Sequence, residues 1–263
     1  MSIGILFRCD DAGASPGTNR AILQCVTEGV GRNVGVMVPG PAFADAVSLL
    51  ADVAHLCDLG LHLTLNSEWT AYGEQPPARW GPVLPAAAVP SLVYPDGTFR
   101  CTPMENHEAG ASHDEMLAEA TAQLKRALQR LRVDYMDEHM GCGWLPGLRD
   151  RLRSLAHAHG VRYAMDAALQ HLPELPDESP DLPPWTRLAR RILAAPDGNY
   201  IVVTHPTFND ADARGMCLPD APPGKIGHDR DLDRQMLIHP EVLDAVRTRG
   251  VRLLRYSDVL DVN

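Results

Sequence analysis

Short apolar runs alternate along this chain with longer stretches of helical spacing. Residues 3–9, 34–38, 59–65, 133–137, 161–165, 200–204 and 251–254 read as strands, each bounded by polar or turn residues. Ser15 followed by Pro16 marks a helix start, and the pattern carries that helix to about residue 28. A second helix is expected over 43–53. Ser112-His113-Asp114-Glu115 has capping-box form ahead of a helix over 116–131. Another helix is expected over 146–159, closed by Gly160. A helix within 232–248 should bend or break near Pro240, and a short helix closes the chain.

Strands that alternate with helices imply parallel pairing through right-handed crossovers. The expected fold is α/β: a distorted (β/α) barrel with about seven parallel strands, an open doubly wound sheet being the alternative. The 263 residues suit one domain, 1–263. Residues 71–103 are rich in Pro and Gly and include Trp80 and the turn Pro95-Asp96-Gly97. They read as part of a loop insertion near residues 70–110 that folds over one end of the domain. Residues 172–184 read as another Pro-rich loop.

Composition narrows the function classes. Acidic residues number 34 against 24 basic ones, a formal charge of −10. Such a surface disfavours phosphate backbones and anionic lipid, so neither nucleic acid nor membrane is expected as a partner. The N-terminal apolar run is too short to span a bilayer and lacks the charged region of a secretory signal. Six cysteines stand singly with no CxxC pair, which points to neither a disulfide framework nor a thiolate zinc site. The cytoplasm is the expected compartment. Gly-rich dinucleotide and P-loop fingerprints are absent from the sequence.

The chemistry collects by position. Asp10-Asp11, His62, His139 and His205 each fall at or near the C-terminal end of a different expected strand. In parallel α/β folds those ends converge on the ligand face. Each motif alone has a plainer explanation. Asp10-Asp11 could cap a turn, and a lone histidine among apolar residues is more often a bonded core residue than a ligand. Alternation does put His62 on one face with Gly60 and Thr64, opposite Leu61, Leu63 and Leu65. Asp137 and Glu138 are candidates to orient the His139 imidazole. One Asp oxygen and two imidazole nitrogens make a three-donor set for a divalent metal ion. Zn²⁺ suits it best, with Co²⁺, Mn²⁺ or Mg²⁺ as alternatives. Such an ion lowers the pKa of a coordinated water to about 7.

Several segments resemble the YdjC-like (ChbG/HpnK) carbohydrate deacetylases. The likeness runs through Cys9-Asp10-Asp11-Ala12-Gly13-Ala14-Ser15-Pro16-Gly17 and Gly60-Leu61-His62-Leu63-Thr64. It continues through Trp80-Gly81-Pro82, Asp137-Glu138-His139 and Thr204-His205-Pro206. The resemblance implies a distorted (β/α) barrel, often dimeric. It implies Asp11, His62 and His139 as metal ligands, Asp10 as general base and His205 as general acid. The activity implied is hydrolysis of the N-acetyl group of an amino sugar, within an oligosaccharide or a glycosylated metabolite. Gly141 and Gly143 stand where the family commonly has histidines, and Thr207 where glycine is usual. These departures fall on the sugar-facing surface and leave the triad intact. Trp144, Trp69 and Trp80 are candidates to stack on a sugar ring, though ordinary packing explains loop aromatics as well. The alternatives are a metal-dependent hydrolase of another amide or ester, a sugar isomerase, and a non-catalytic sugar-binding protein.

Overall fold

The first apolar run becomes the central strand, β1 (Ile3–Ala12), all ten residues buried. The computed structural model describes residues 2–70, 79–218 and 220–261. Helix α1 (Pro16–Thr27) follows, with the Ser15 hydroxyl accepting from the Thr18 N–H and Pro16 in the first turn. Then come β2 (Asn33–Val36), α2 (Phe43–Ala51) and β3 (Asp58–Leu63). Next are α3 (Pro103–Glu108), α4 (His113–Leu128), β4 (Tyr135–Glu138), α5 (Leu148–Ala158) and β5 (Arg162–Tyr163). After them lie β6 (Gln170–His171), α6 (Pro184–Ala194), β7 (Gly198–Thr204) and α7 (Ala211–Gly215). The chain ends in α8 (Lys225–Ile238), α9 (Pro240–Arg249), β8 (Arg252–Leu253) and α10 (Tyr256–Val259).

Every named strand pairs in parallel, in the order β5-β4-β3-β2-β1-β7-β6, and β8 pairs with the start of β1. The sheet curls into a half-barrel ringed by helices, a distorted (β/α) barrel. Alternation along β1 sorts its side chains. Ile3, Ile5, Phe7 and Cys9 join the main core. Leu6 joins Tyr135, Leu254 and Tyr256 in a second, inner cluster. Arg8 and Asp10 share the Leu6 face, so a charged pair lies inside the barrel.

Seven expected strands appear, some of them shorter than anticipated. The expected break at Pro240 is complete, separating α8 from α9 at His239. Strand β6 and helices α3, α6 and α7 were not anticipated. The capping box is only half formed. Ser112 Oγ accepts from the Glu115 N–H, but the Glu115 carboxylate instead accepts from the Ser91 N–H and hydroxyl. Part of the 70–110 insertion, residues 71–78, lies outside the described residues. The remainder is firmly packed: Trp80, Val89, Leu92 and Phe99 are buried. The Glu119 carboxylate of α4 accepts from the Val83 and Leu84 N–H groups. Among the described residues, no helix is long and apolar enough to cross a membrane.

Candidate metal and catalytic site

Strand ends bring the expected residues together. Asp11, the last residue but one of β1, takes φ +69°, a left-handed conformation unusual for a residue other than glycine. His62 stands near the end of β3 and His139 directly after β4. Asp11 Oδ1 lies 3.4 Å from His62 Nε2 and 3.3 Å from His139 Nδ1. The two imidazole nitrogens are 3.3 Å apart. These three donors form a nearly equilateral triangle, and all three residues are buried.

Donors about 2.1 Å from one cation, at tetrahedral or octahedral angles, stand roughly 3.0–3.4 Å apart. The triangle fits that requirement. Asp11 Oδ1 is buried with no hydrogen-bond partner, as a ligand atom would be before binding its ion. Each imidazole is braced on its other nitrogen. His62 Nδ1 is 2.8 Å from Asp137 Oδ1, its register partner on β4. His139 Nε2 is 2.9 Å from Glu68 Oε2. Carboxylates in these positions fix the tautomer and aim the free nitrogen, as in metal-binding histidines generally. Arg230 Nη1 donates to Asp11 Oδ2 at 2.7 Å, which leaves Oδ1 for an ion.

A second group, Asp10, His62 and Asp137, also has donor atoms within 4.8 Å of one another. It is a poorer cation site. Arg8 lies 2.8 Å from Asp10 Oδ2 and 3.0 Å from Asp137 Oδ2, so a guanidinium already pairs with one oxygen of each carboxylate.

The carboxylates shape the electrostatics. Burial works against ionised Asp11, yet Arg230 and the two histidines hold its pKa well below the usual range. Burial works against charged His62, but Asp137 and Asp10 raise it well above the ordinary value. Burial also opposes charged His139, but Glu68 and Asp11 hold it up at about 9.

A cavity of about 420 Å³ opens beside the triangle, walled by His139, Glu68, Trp69, Met140, His205 and Arg230 among others. His205 thus shares a wall with the metal-site histidine, and its backbone N–H donates to Asp233 Oδ2. Asp10 is not on that wall. Its Oδ2 accepts from Arg8, and its Oδ1 is buried without a partner. A larger cavity, about 710 Å³, lies between α6, β7 and α8 and contains none of the triad.

Some expected roles shift. Asp137 braces His62, not His139. Glu138 instead accepts from the Gly143 N–H and the Tyr163 hydroxyl. Trp80 is buried, with its N–H donated to the Asn66 carbonyl. Trp69 is buried beneath the Arg230 guanidinium, 5.0 Å from its ring centre. Only Trp144 of the three leaves a large part of its ring in solvent. Sequence reasoning missed Arg8, Glu68 and Arg230. A cation two places before Asp10 in a buried strand was a usable signal for Arg8. Glu68 and Arg230 reach the site only through tertiary folding.

Fold and site together define a half-barrel α/β protein with an Asp-His-His cluster at its strand ends. The YdjC-like protein family matches residues 4–248, and the chain belongs to that family. A carbohydrate deacetylase of Listeria welshimeri is 30% identical over 224 residues, covering 80% of this chain and 84% of its own. A carbohydrate deacetylase of Thermus thermophilus is 28% identical over 261 residues, covering 90% and 87%. An Enterococcus faecalis structure, described as a cellobiose-phosphate cleavage protein, superposes with TM-score 0.73 at 19% identity. It covers 99% of this chain and 100% of that one. The peptidoglycan deacetylase PdaC of Bacillus subtilis gives TM-score 0.50 at 14% identity, over 98% and 89%. These two structures share the fold.

Proposed function

We infer that this chain is a metal-dependent deacetylase that hydrolyses the N-acetyl group of an amino sugar to acetate and a free amine. The triangle of Asp11, His62 and His139 carries the reading, because each imidazole is braced by a carboxylate and His139 lines a cavity. The relatives' names support the sugar and the acetyl group.

Asp11, His62 and His139 would hold the ion, and a nitrogen–oxygen donor set suits Zn²⁺, with Mg²⁺, Co²⁺ or Mn²⁺ also accommodated. When bound, the ion supplies an activated water and polarises the acetamide carbonyl. Asp10 has one oxygen pinned by Arg8 and one free, which suits it to accept the water's proton. His205 borders the cavity and suits the donation of a proton to the departing amine nitrogen. The water oxygen adds to the acyl carbon first, and the C–N bond breaks afterwards as the nitrogen takes the proton from His205 and leaves as the amine. A second reading of the proton acceptor is Glu68, since it lines the cavity and Asp10 does not.

The test is a stripped protein reloaded with each metal and offered N-acetylglucosamine oligomers and glycosylated small molecules. Acetate should appear only in the loaded samples. Turnover of esters alone, or sugar binding without acetate, would overturn the reading in favour of another hydrolase or a binding protein. A homodimer and a cytoplasmic setting complete the reading; light scattering of the purified protein tests the first.

A further inference from the structure

We propose that the cavity between α6, β7 and α8 is a second binding site, built for a carboxylate on an apolar body and separate from the metal triangle. The inference stands apart from the deacetylase reading.

The cavity has a cause in the sequence. Strand β6 pairs with β7 at only two positions, Gln170 with Tyr200 and His171 with Ile201. Pro173 follows two residues on and lacks the N–H that a longer ladder needs. Val202 and Val203 pair with β1, through Phe7 and Arg8, and not with β6. Ile201, Val202 and Val203 all line the cavity. Consecutive strand residues face opposite sides, so a space that touches all three abuts the edge of β7. Packing agrees, since Val202 lies against the main core and Ile201 against the inner cluster. The cavity thus takes the place that a longer β6 would fill. Helices α6 and α8 wall it, and its volume of about 710 Å³ is that of a small-molecule site.

Charge selects the ligand. Arg187 and Arg191 of α6 reach the cavity, as do Glu174 and, from α8, Asp229 and Asp233. Arg191 is held by Glu174 and by Glu178. Asp229 pairs with Lys225, and Asp233 accepts the His205 N–H. Arg187 differs. Among the described residues it forms no ion pair, and its Nε is buried without a hydrogen-bond partner. Glu178, whose carboxylate feels the Arg187 charge, is already bonded to Arg191. A half-buried guanidinium with an unmet donor is costly, and a carboxylate offers it two acceptors in matching geometry. That end of the ligand is directed to α6, away from the carboxylates of α8. Leu172, Leu188, Leu232 and Met236 give the rest of the ligand apolar surface to cover.

The experiment is calorimetry on the metal-loaded full chain in acetate buffer. It compares octanoate and 4-phenylbutyrate with the alcohol and the amine of each skeleton. Acetate occupies an ion at the triangle but has no apolar body to hold it in the second cavity. Each longer acid should bind saturably, about tenfold or more tighter than its alcohol. The amine should bind no tighter than the alcohol. Arg187→Met should lower the acid to the level of the alcohol, and Arg187→Lys should leave it between the two. A crystal structure with 4-phenylbutyrate should place its carboxylate on Arg187. Saturable binding by neither acid, as when a second copy of the chain covers the opening, would overturn the site. So would a tighter amine, a preference for the acid that survives Arg187→Met, or an acid seated at Asp11, His62 and His139.

Discussion

Arg230 grips one oxygen of Asp11 at 2.7 Å and leaves the other, buried and unpartnered, facing both histidines. The contact joins α8 to the end of β1, so the candidate ligand is oriented from across the cavity. The guanidinium also covers the Trp69 ring.

Replacing Arg230 with methionine should therefore free Asp11 to rotate. Partners that orient a metal ligand typically contribute ten- to hundredfold to affinity or activity. Acetate release by Arg230→Met should fall by about that factor, and Arg230→Lys should recover part of it. Steady-state kinetics at saturating metal measures both. Unchanged kinetics in Arg230→Met would show that Asp11 needs no such restraint.

Four of the five site residues divide into two groups by expected phenotype. His62→Ala and His139→Ala should lose the metal, read by elemental analysis after dialysis. Asp10→Asn and His205→Ala should keep it and lose most acetate release, general acid–base groups typically contributing about 10²–10⁴-fold. Asp10→Asn with full activity, alongside an inactive Glu68→Gln, would transfer the proton-acceptor role to Glu68.

Much of this site was legible because its chemistry follows strand ends. A buried apolar run followed by Asp10-Asp11, and others ending near His62, His139 and His205, point one way in any parallel sheet. The bracing groups were less visible. Asp137 stands two residues before His139 but braces His62, because register across β3 and β4 pairs it with that residue. Arg230 lies in a helix dense with charge, where no single cation stands out. Helix α6 was hidden behind Pro183 and Pro184, which are tolerated at a helix start. Strand β6 is two exposed residues and has no apolar signature at all.

Gly35 on β2 makes room for the site. A Cβ there would stand 2.9 Å from Asp10 Oδ1 and 3.2 Å from His62 Cβ and Cγ. Asp10 is held by Arg8 and His62 by Asp137, so neither side chain retreats cheaply. Gly35→Ala should lower turnover at least about tenfold by displacing the imidazole. A crystal structure of the variant with His62 unmoved, together with unchanged turnover, would refute the assigned role.

The metal and protons compete for the same nitrogens, which fixes the sign of the pH response. Without metal, burial works against charge on His139, but Glu68 and Asp11 prevail and hold it up at about 9; His62 is raised as well. The metal-free protein thus carries protons at pH 7 that an unfolded chain, with histidines near about 6.5, has largely lost. A raised folded value contributes stability that is full below about pH 6.5 and fades as pH climbs through about 9. Metal-free protein should therefore lose thermal stability across that window. Metal-loaded protein should lose less, since the ion replaces the protons as the charge facing Asp11. Metal uptake should also weaken as pH falls and release protons at pH 7. Calorimetric titration in buffers of different ionisation enthalpy counts those protons. A count of zero at pH 7 would mean that the imidazoles are already neutral, and that their carboxylate partners brace them without charging them.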